Sequence, residues 1–134
     1  MRLLITTPRG TKLDREVLSV VLEGGLGELG ILPGHAPLQS TVEIGVLRYD
    51  STDGPGQVAL NQGVLEVLKD RVTVLCKTCE PAAEIDQERA RQALERARAL
   101  LERAATDPSV DRPRADLALR RAMARLHAAN LRQH

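Results

Sequence analysis

From Gly24 to Leu38 the chain reads GGLGELGILPGHAPL, and no helix can run through it. Glycines at 24, 25, 27, 30 and 34 loosen the backbone, and Pro33 and Pro37 each remove an amide donor. Two short apolar pieces remain, Leu29 to Leu32 and Ala36 to Leu38, framed by turn chemistry. They predict two small strands joined by a Pro33-Gly34 turn. The glycines do not make a phosphate loop, since no helix follows and no Lys-Ser/Thr pair closes the run.

The rest of the first half extends this pattern. Leu3 and Ile5 alternate, as do Val58 and Leu60, Leu65 and Val67, and Val72, Val74 and Cys76. Turn signals separate them at Pro8-Arg9-Gly10, Asp53-Gly54-Pro55-Gly56 and Lys69-Asp70. Several short strands at this spacing predict a small antiparallel sandwich or barrel over residues 1–84. Its core has to be filled without Phe or Trp, which the chain lacks altogether.

The chemistry changes near residue 84. All ten glycines lie at or before Gly63, whereas Ile85 to His134 holds twelve alanines, eleven arginines and no lysine. Asp86 is a candidate N-cap, and Ala90, Leu94, Ala97, Leu101 and Ala104 share one helical face. Asp107-Pro108-Ser109 breaks that helix, and Asp111 with Pro113 starts a second. Ala115, Leu119, Ala122, Leu126 and Ala129 repeat the spacing, so residues 85–134 predict an antiparallel helical hairpin with an alanine seam. Glu-Arg-Ala recurs at 88–90, 95–97 and 102–104, which the seam and its charged flanks explain without a long coiled coil.

Charge divides at the same place. The first 84 residues carry eight Lys/Arg against eleven Asp/Glu, the last fifty eleven against seven, so a net +1 conceals an acidic head and a basic tail. The tail suits an acidic protein surface. Nucleic acid is a poorer partner, because Tyr49 is the only aromatic available for base stacking. No stretch approaches twenty apolar residues, and Leu3 to Ile5 is no signal peptide. The expectation is a soluble, cytoplasmic-facing protein that meets a membrane only through a partner.

Candidate chemistry is sparse. Cys76-Lys77-Thr78-Cys79 has no second cysteine pair for zinc, with His35, His127 and His134 scattered. It ends a strand rather than opening a helix, where a redox thiolate would be stabilised. It therefore reads as a core cysteine and an incidental one. His35 lacks a nucleophile motif and reads as a side chain that bonds its own loop, and Glu28 as a solvated acid. Arg114, Arg121, Arg125 and Arg132 form one stripe, and Arg89, Arg96 and Arg103 another. Across a hairpin the two stripes could converge on one groove, where guanidinium forks would suit phosphate or carboxylates.

The Gly27-to-Leu38 run resembles the Gly-Glu-x-Gly-Ile-Leu-Pro-Gly-His-Ala-Pro-Leu signature of the epsilon subunit family of bacterial ATP synthase. Gly45-Val46-Leu47-Arg48, Gly63-Val64-Leu65-Glu66-Val67 and Arg71-Val72-Thr73-Val74-Leu75 are similar to family strands. Ile85-Asp86-Gln87-Glu88-Arg89-Ala90 is similar to its Ile/Leu-Asp-x-x-Arg-Ala motif. Val64 and Cys76 stand where the family usually has Phe and Ala.

That resemblance implies a ten-stranded sandwich that grips the gamma subunit and rests on the c-ring, Glu28 and His35 being contact residues and Glu28 facing the rotor rather than the hairpin. It implies a hairpin that folds on the sandwich or extends toward the alpha/beta ring to block ATP hydrolysis, with Arg121 and Arg125 in contact there. It also implies a regulatory ATP site at Asp86, Arg89 and Ala90 with Arg121 and Arg125, no catalytic residue, no metal, and a peripheral place on the cytoplasmic face of the bacterial inner membrane. The other reading the residues allow is a binding module whose basic hairpin recognises acidic protein or nucleic acid outside any ATPase.

Overall fold

A computed structural model describes residues 1–132, the side chain of Arg132 excepted; His134 lies outside the described residues. Ten strands come first: β1 (Arg2–Thr7), β2 (Gly10–Glu16), β3 (Ser19–Gly24), β4 (Gly27–Ile31), β5 (Leu38–Val42), β6 (Gly45–Ser51), β7 (Gly54–Leu60), β8 (Gly63–Leu68), β9 (Arg71–Cys76) and β10 (Cys79–Pro81). A 3₁₀ turn at Ala82–Glu84 leads into helices α1 (Gln87–Ala104) and α2 (Arg112–Arg132).

The strands run β10-β7-β6-β3-β5-β8-β9-β1-β2, with β4 paired to β3 alone. One pair, Gly24 with Val42, joins β3 to β5, and there the path folds into two layers. Every described pairing is antiparallel except β1 with β9. The core between the layers is aliphatic, built from Leu3, Ile5, Leu22, Ile31, Leu47, Leu65 and a set of valines that includes Val72 and Val74. Strand alternation puts them there: Leu65 and Val67, like Val72, Val74 and Cys76, point inward on every second position.

Three local expectations change in detail. Leu29 to Ile31 does form a strand, but it pairs back on β3 through a Gly25-Leu26 turn, and Pro33-Gly34 makes no hairpin. Residues 32–37 form a loop in which Gly34 adopts φ 81° and donates its amide to Asp70 Oδ1 at 2.9 Å. β5 accordingly begins at Leu38. The Asp53-to-Gly56 signal is narrower than its sequence suggests, because Gly54-Pro55-Gly56 already belongs to β7. Pro55 pairs with Asp50 at a point that β10 does not reach, so its missing donor costs no ladder bond. Gly56 is required there, since the Tyr49 ring fills the space of a Cβ. At Lys69-Asp70 both residues take positive φ (50° and 62°), the geometry of a tight two-residue hairpin.

Both helices start as their sequences predict. Asp86 Oδ1 accepts the Arg89 amide and Asp111 Oδ1 the Arg114 amide, each at 3.1 Å. Ala90 and Ala97 of α1 and Ala115, Ala122 and Ala129 of α2 are buried, with Leu94, Leu101, Leu119 and Leu126 half-buried beside them. The hairpin lies with α2 over β6 and β7, while α1 packs chiefly on α2.

Candidate functional site

The junction between α2 and the sandwich gathers three of the functional candidates, Arg121, Arg125 and Glu28. α2 has a second apolar face that the seam spacing alone does not announce. Ala128 and Ala129, both fully buried, pack with Ala59, Ala82 and Ile85, and Val46 lies against them. Ala124 is buried on the same side. The available signal was Ala124 and Ala128, four residues apart and off the seam.

Charged contacts flank this alanine patch. Arg125 donates from Nε to Glu80 Oε2 at 2.8 Å and from Nη2 to Oε1 at 3.3 Å, a two-pronged pair in which both side chains are about 30% exposed (27% and 32%). Arg120 Nη2 reaches Glu43 Oε2 at 3.6 Å. Arg121 makes no ion pair among the described residues. It stands between two clefts. One of about 200 Å³ is shared with Glu80, Cys79 and Arg125; another of about 350 Å³, at the hairpin turn, is shared with Arg103 and Arg114.

The structure therefore brings together part of each arginine stripe. Arg103, Arg114 and Arg121 meet at the turn, with Arg103 also 3.4 Å from Asp107. Arg89 does not line that cleft and stands exposed in the first turn of α1. Of the Asp86-Arg89-Ala90 triplet, Asp86 caps the helix and Ala90 is buried in the hairpin, so helix formation alone already employs both. Arg132's side chain lies outside the described part.

The Gly-rich loop divides its two candidates. His35 is exposed and its Nδ1 lies 2.6 Å from the Ala36 carbonyl, bonding its own loop as its sequence context suggested. Glu28 sits at the edge of the covered layer. It is exposed, yet it pairs with Arg48 at 3.9 Å and lines a groove of about 450 Å³ whose other wall is Arg120, Met123 and His127 of α2. With the hairpin docked, Glu28 faces the arm. β4 turns back on β3 and so puts Glu28 on the layer that α2 covers.

Neither cysteine is disposed to react. Burial pushes the Cys76 thiol up to about 11; burial, then the neighbouring Cys76, pushes that of Cys79 up to about 12. Cys79 is not incidental: it packs against the main core and walls the cleft beside Arg121. Tyr49 lies under the Arg15 guanidinium, 5.7 Å from ring centroid to Cζ, and against Gly56, which makes it no platform for a base.

The opposite layer bears a surface that periodicity reading passed over. Thr41, Val64, Leu75 and Thr6 lie side by side across β5, β8, β9 and β1 on the outer face. Val64 is 51% exposed and Leu75 49%, and no helix covers them. The signal was an apolar residue at the outward phase of each strand, Val64 beside inward Leu65 and Leu75 beside inward Val74.

The sandwich thus has one layer under α2 and another whose outer face no described helix covers. Residues 1–82 match the beta-sandwich domain of the ATP synthase delta/epsilon chain, and residues 83–130 match its long alpha-helix domain. The chain belongs to the ATP synthase delta/epsilon family. It is 45% identical to an ATP synthase epsilon chain of Desulfitobacterium hafniense strain Y51 over 127 residues, covering 95% of this chain and 94% of that one. An ATP synthase epsilon chain of Bacillus licheniformis is 40% identical over 129 residues, covering 96% and 97%. Its fold superimposes with a TM-score of 0.80, at 28% identity, on a chain of the Euglena gracilis mitochondrial ATP synthase OSCP/F1/c-ring structure, covering 96% of this chain and 79% of that one.

Proposed function

We propose that this chain is the non-catalytic rotor subunit of a proton-transporting F-type ATP synthase, with residues 1–84 as its attachment unit and residues 85–134 as a regulatory arm that restrains ATP hydrolysis. Gamma, the c-ring and the alpha/beta ring are its partners, and as a peripheral subunit it sits at the cytoplasmic face of the bacterial inner membrane. No described helix is long and apolar enough to cross a membrane.

The contrast between the two outer faces carries the reading. One layer lies under the arm, while the other presents Thr41, Val64, Leu75 and Thr6 to solvent, an uncharged strip suited to a protein partner. In the full chain, Val64→Glu with Leu75→Glu should leave the melting temperature within a few degrees of wild type and abolish co-purification with gamma. Retained co-purification would move the attachment surface elsewhere.

A regulatory ATP site on the arm belongs to the same proposal. Arg121 supports it, since that cation stands between two clefts with no ion-pair partner among the described residues. Arg125 could contribute only after releasing Glu80, and Asp86 only beyond its capping bond. Calorimetric titration of ATP into the pure subunit should give heat that Arg121→Ala abolishes. No heat, and no rise in melting temperature at millimolar ATP, would leave the arginines as a protein-contact surface.

A further inference from the structure

The contact between α2 and the sandwich is shallow where it is apolar and specific where it is charged. Alanine methyls meet alanine methyls at Ala128, Ala59 and Ala82, and such a patch removes little area and tolerates sliding. The two ion pairs do not. Glu80 lies on β10, the outermost strand of the covered layer, and Glu43 just precedes β6. Between them Gly45 pairs with Leu60 and Leu60 with Cys79, so the two carboxylates bracket the row of strands beneath the helix. Arg120 and Arg125, five residues and about 7.5 Å apart along α2, reach out to these two brackets. The Arg125 pair is two-pronged and partly sheltered, which fixes orientation as well as adding attraction.

We infer that Glu43 and Glu80 form a two-point latch, holding the arm folded by occupying the guanidiniums that an acidic partner surface would otherwise take. The inference rests on the reading of the hairpin as a movable arm. The sandwich is the acidic half of the molecule and the hairpin the basic half, so the chain supplies its own substitute for an acidic partner. Opening then exchanges one set of carboxylates for another. An acidic surface favours the open arm only by its differential affinity for the two states, and opening costs the release of two ion pairs from their brackets in addition to the alanine patch. Salt acts in the same direction by screening both pairs.

The test uses the full chain with nitroxides at Ser109→Cys, in the exposed hairpin turn, and Asp53→Cys, in the exposed β6–β7 turn, in a Cys76→Ala, Cys79→Ala background shown by melting to be folded. The distance distribution reports the docked fraction. Glu43→Gln with Glu80→Gln should lower the docking constant about tenfold at low salt and flatten its dependence on salt. Glu80→Arg with Arg125→Glu, which restores the pair in reverse, should recover docking. A decaglutamate peptide should open the unsubstituted arm and act less on the reversed pair. Ala128→Leu, a wedge in the apolar patch, serves as the control for movement. If the wedge opens the arm but the glutamine variant docks as the parent does, the latch is wrong and the movable arm stands. If even the wedge leaves the distance unchanged, the movable arm fails and the latch with it.

Discussion

The sandwich core and the alanine patch under α2 are both apolar and built to different standards. Inside the sandwich, Leu3, Ile5, Leu47 and Leu65 interlock at 2% exposure or less, each contributing on the order of 2 kcal/mol by burial. Under α2 the buried groups are nearly all alanines, each contributing less than about 1 kcal/mol. Both helices are nonetheless rich in Ala, Leu and Arg, and α1 also in Glu, the residues that favour helix most, so their helicity draws on propensity and on the hairpin seam as well as on the sandwich. One region is made to stay assembled and the other to be held. The ion pairs at Glu43 and Glu80 occur in the second region, where apolar contact alone would not fix the register.

The largest expected effect tests the first half of that contrast. Leu65→Ala, in the middle of β8, should cost about 3 kcal/mol and lower the melting temperature by more than roughly ten degrees. A loss under about 1 kcal/mol would mean the core is loosely packed and the contrast with the hairpin is smaller than drawn. The next effect tests the other half. Ala128→Leu forces a larger side chain between α2 and Ala59, costing about 1–3 kcal/mol locally, which should lift the arm rather than melt the sandwich. Limited proteolysis after the arginines of α2 should accelerate while the sandwich melting transition stays put. Coincident loss of both would show that the two regions unfold as one unit.

The same contrast explains what was legible in the sequence. Strands whose inner face is buried announce themselves through alternation, as at Leu65-Val67 and Val72-Val74-Cys76. β2, GTKLDRE, shows no such signal, because it is an edge strand with one half-buried residue, Leu13, and is held to β1 by the backbone ladder and by exposed ion pairs of Asp14 and Glu16. β7 was obscured by Gly54-Pro55-Gly56, turn residues tolerated in a strand edge that lacks a neighbour there. The hairpin and both caps were readable from Asp86, Asp111 and the alanine spacing. Which face of α2 meets the sandwich was not, since alanine carries little amphipathic contrast and α2 has two alanine faces to choose between. The partners of Arg125 and Arg120 were beyond reach for another reason: Glu80 and Glu43 lie 45 and 77 positions away, and only the docked arm brings them together. The groove that Glu28 lines was not readable either, because the loop motif does not reveal that β4 pairs with β3.

The smallest effect sharpens the comparison at the seam between the two regions, where each cysteine reports on one of them. Cys76 belongs to the core proper, and Cys79 walls the cleft that Arg121, Ala124 and Arg125 close from above. Burial raises both thiols, to about 11 and about 12, so the neutral form is the one the fold favours. The sign follows for stability: this preference is fully present below the unfolded thiol value of about 8.5 and is lost as pH rises toward the folded values. It follows for reactivity as well, because only the thiolate alkylates. With Cys79 near 12, about one molecule in ten thousand carries the thiolate at pH 8, and the iodoacetamide rate should climb nearly tenfold per pH unit up to pH 11. Lifting the arm with Ala128→Leu hydrates Cys79 and removes part of its shift, so its alkylation at pH 8 should rise several-fold while Cys76 stays as slow as before. Equal acceleration of both thiols would mean the substitution loosens the core and not only the arm. No acceleration at either would mean that α2 contributes nothing to the burial of Cys79, and that the boundary between the two regions runs outside β10 rather than through it.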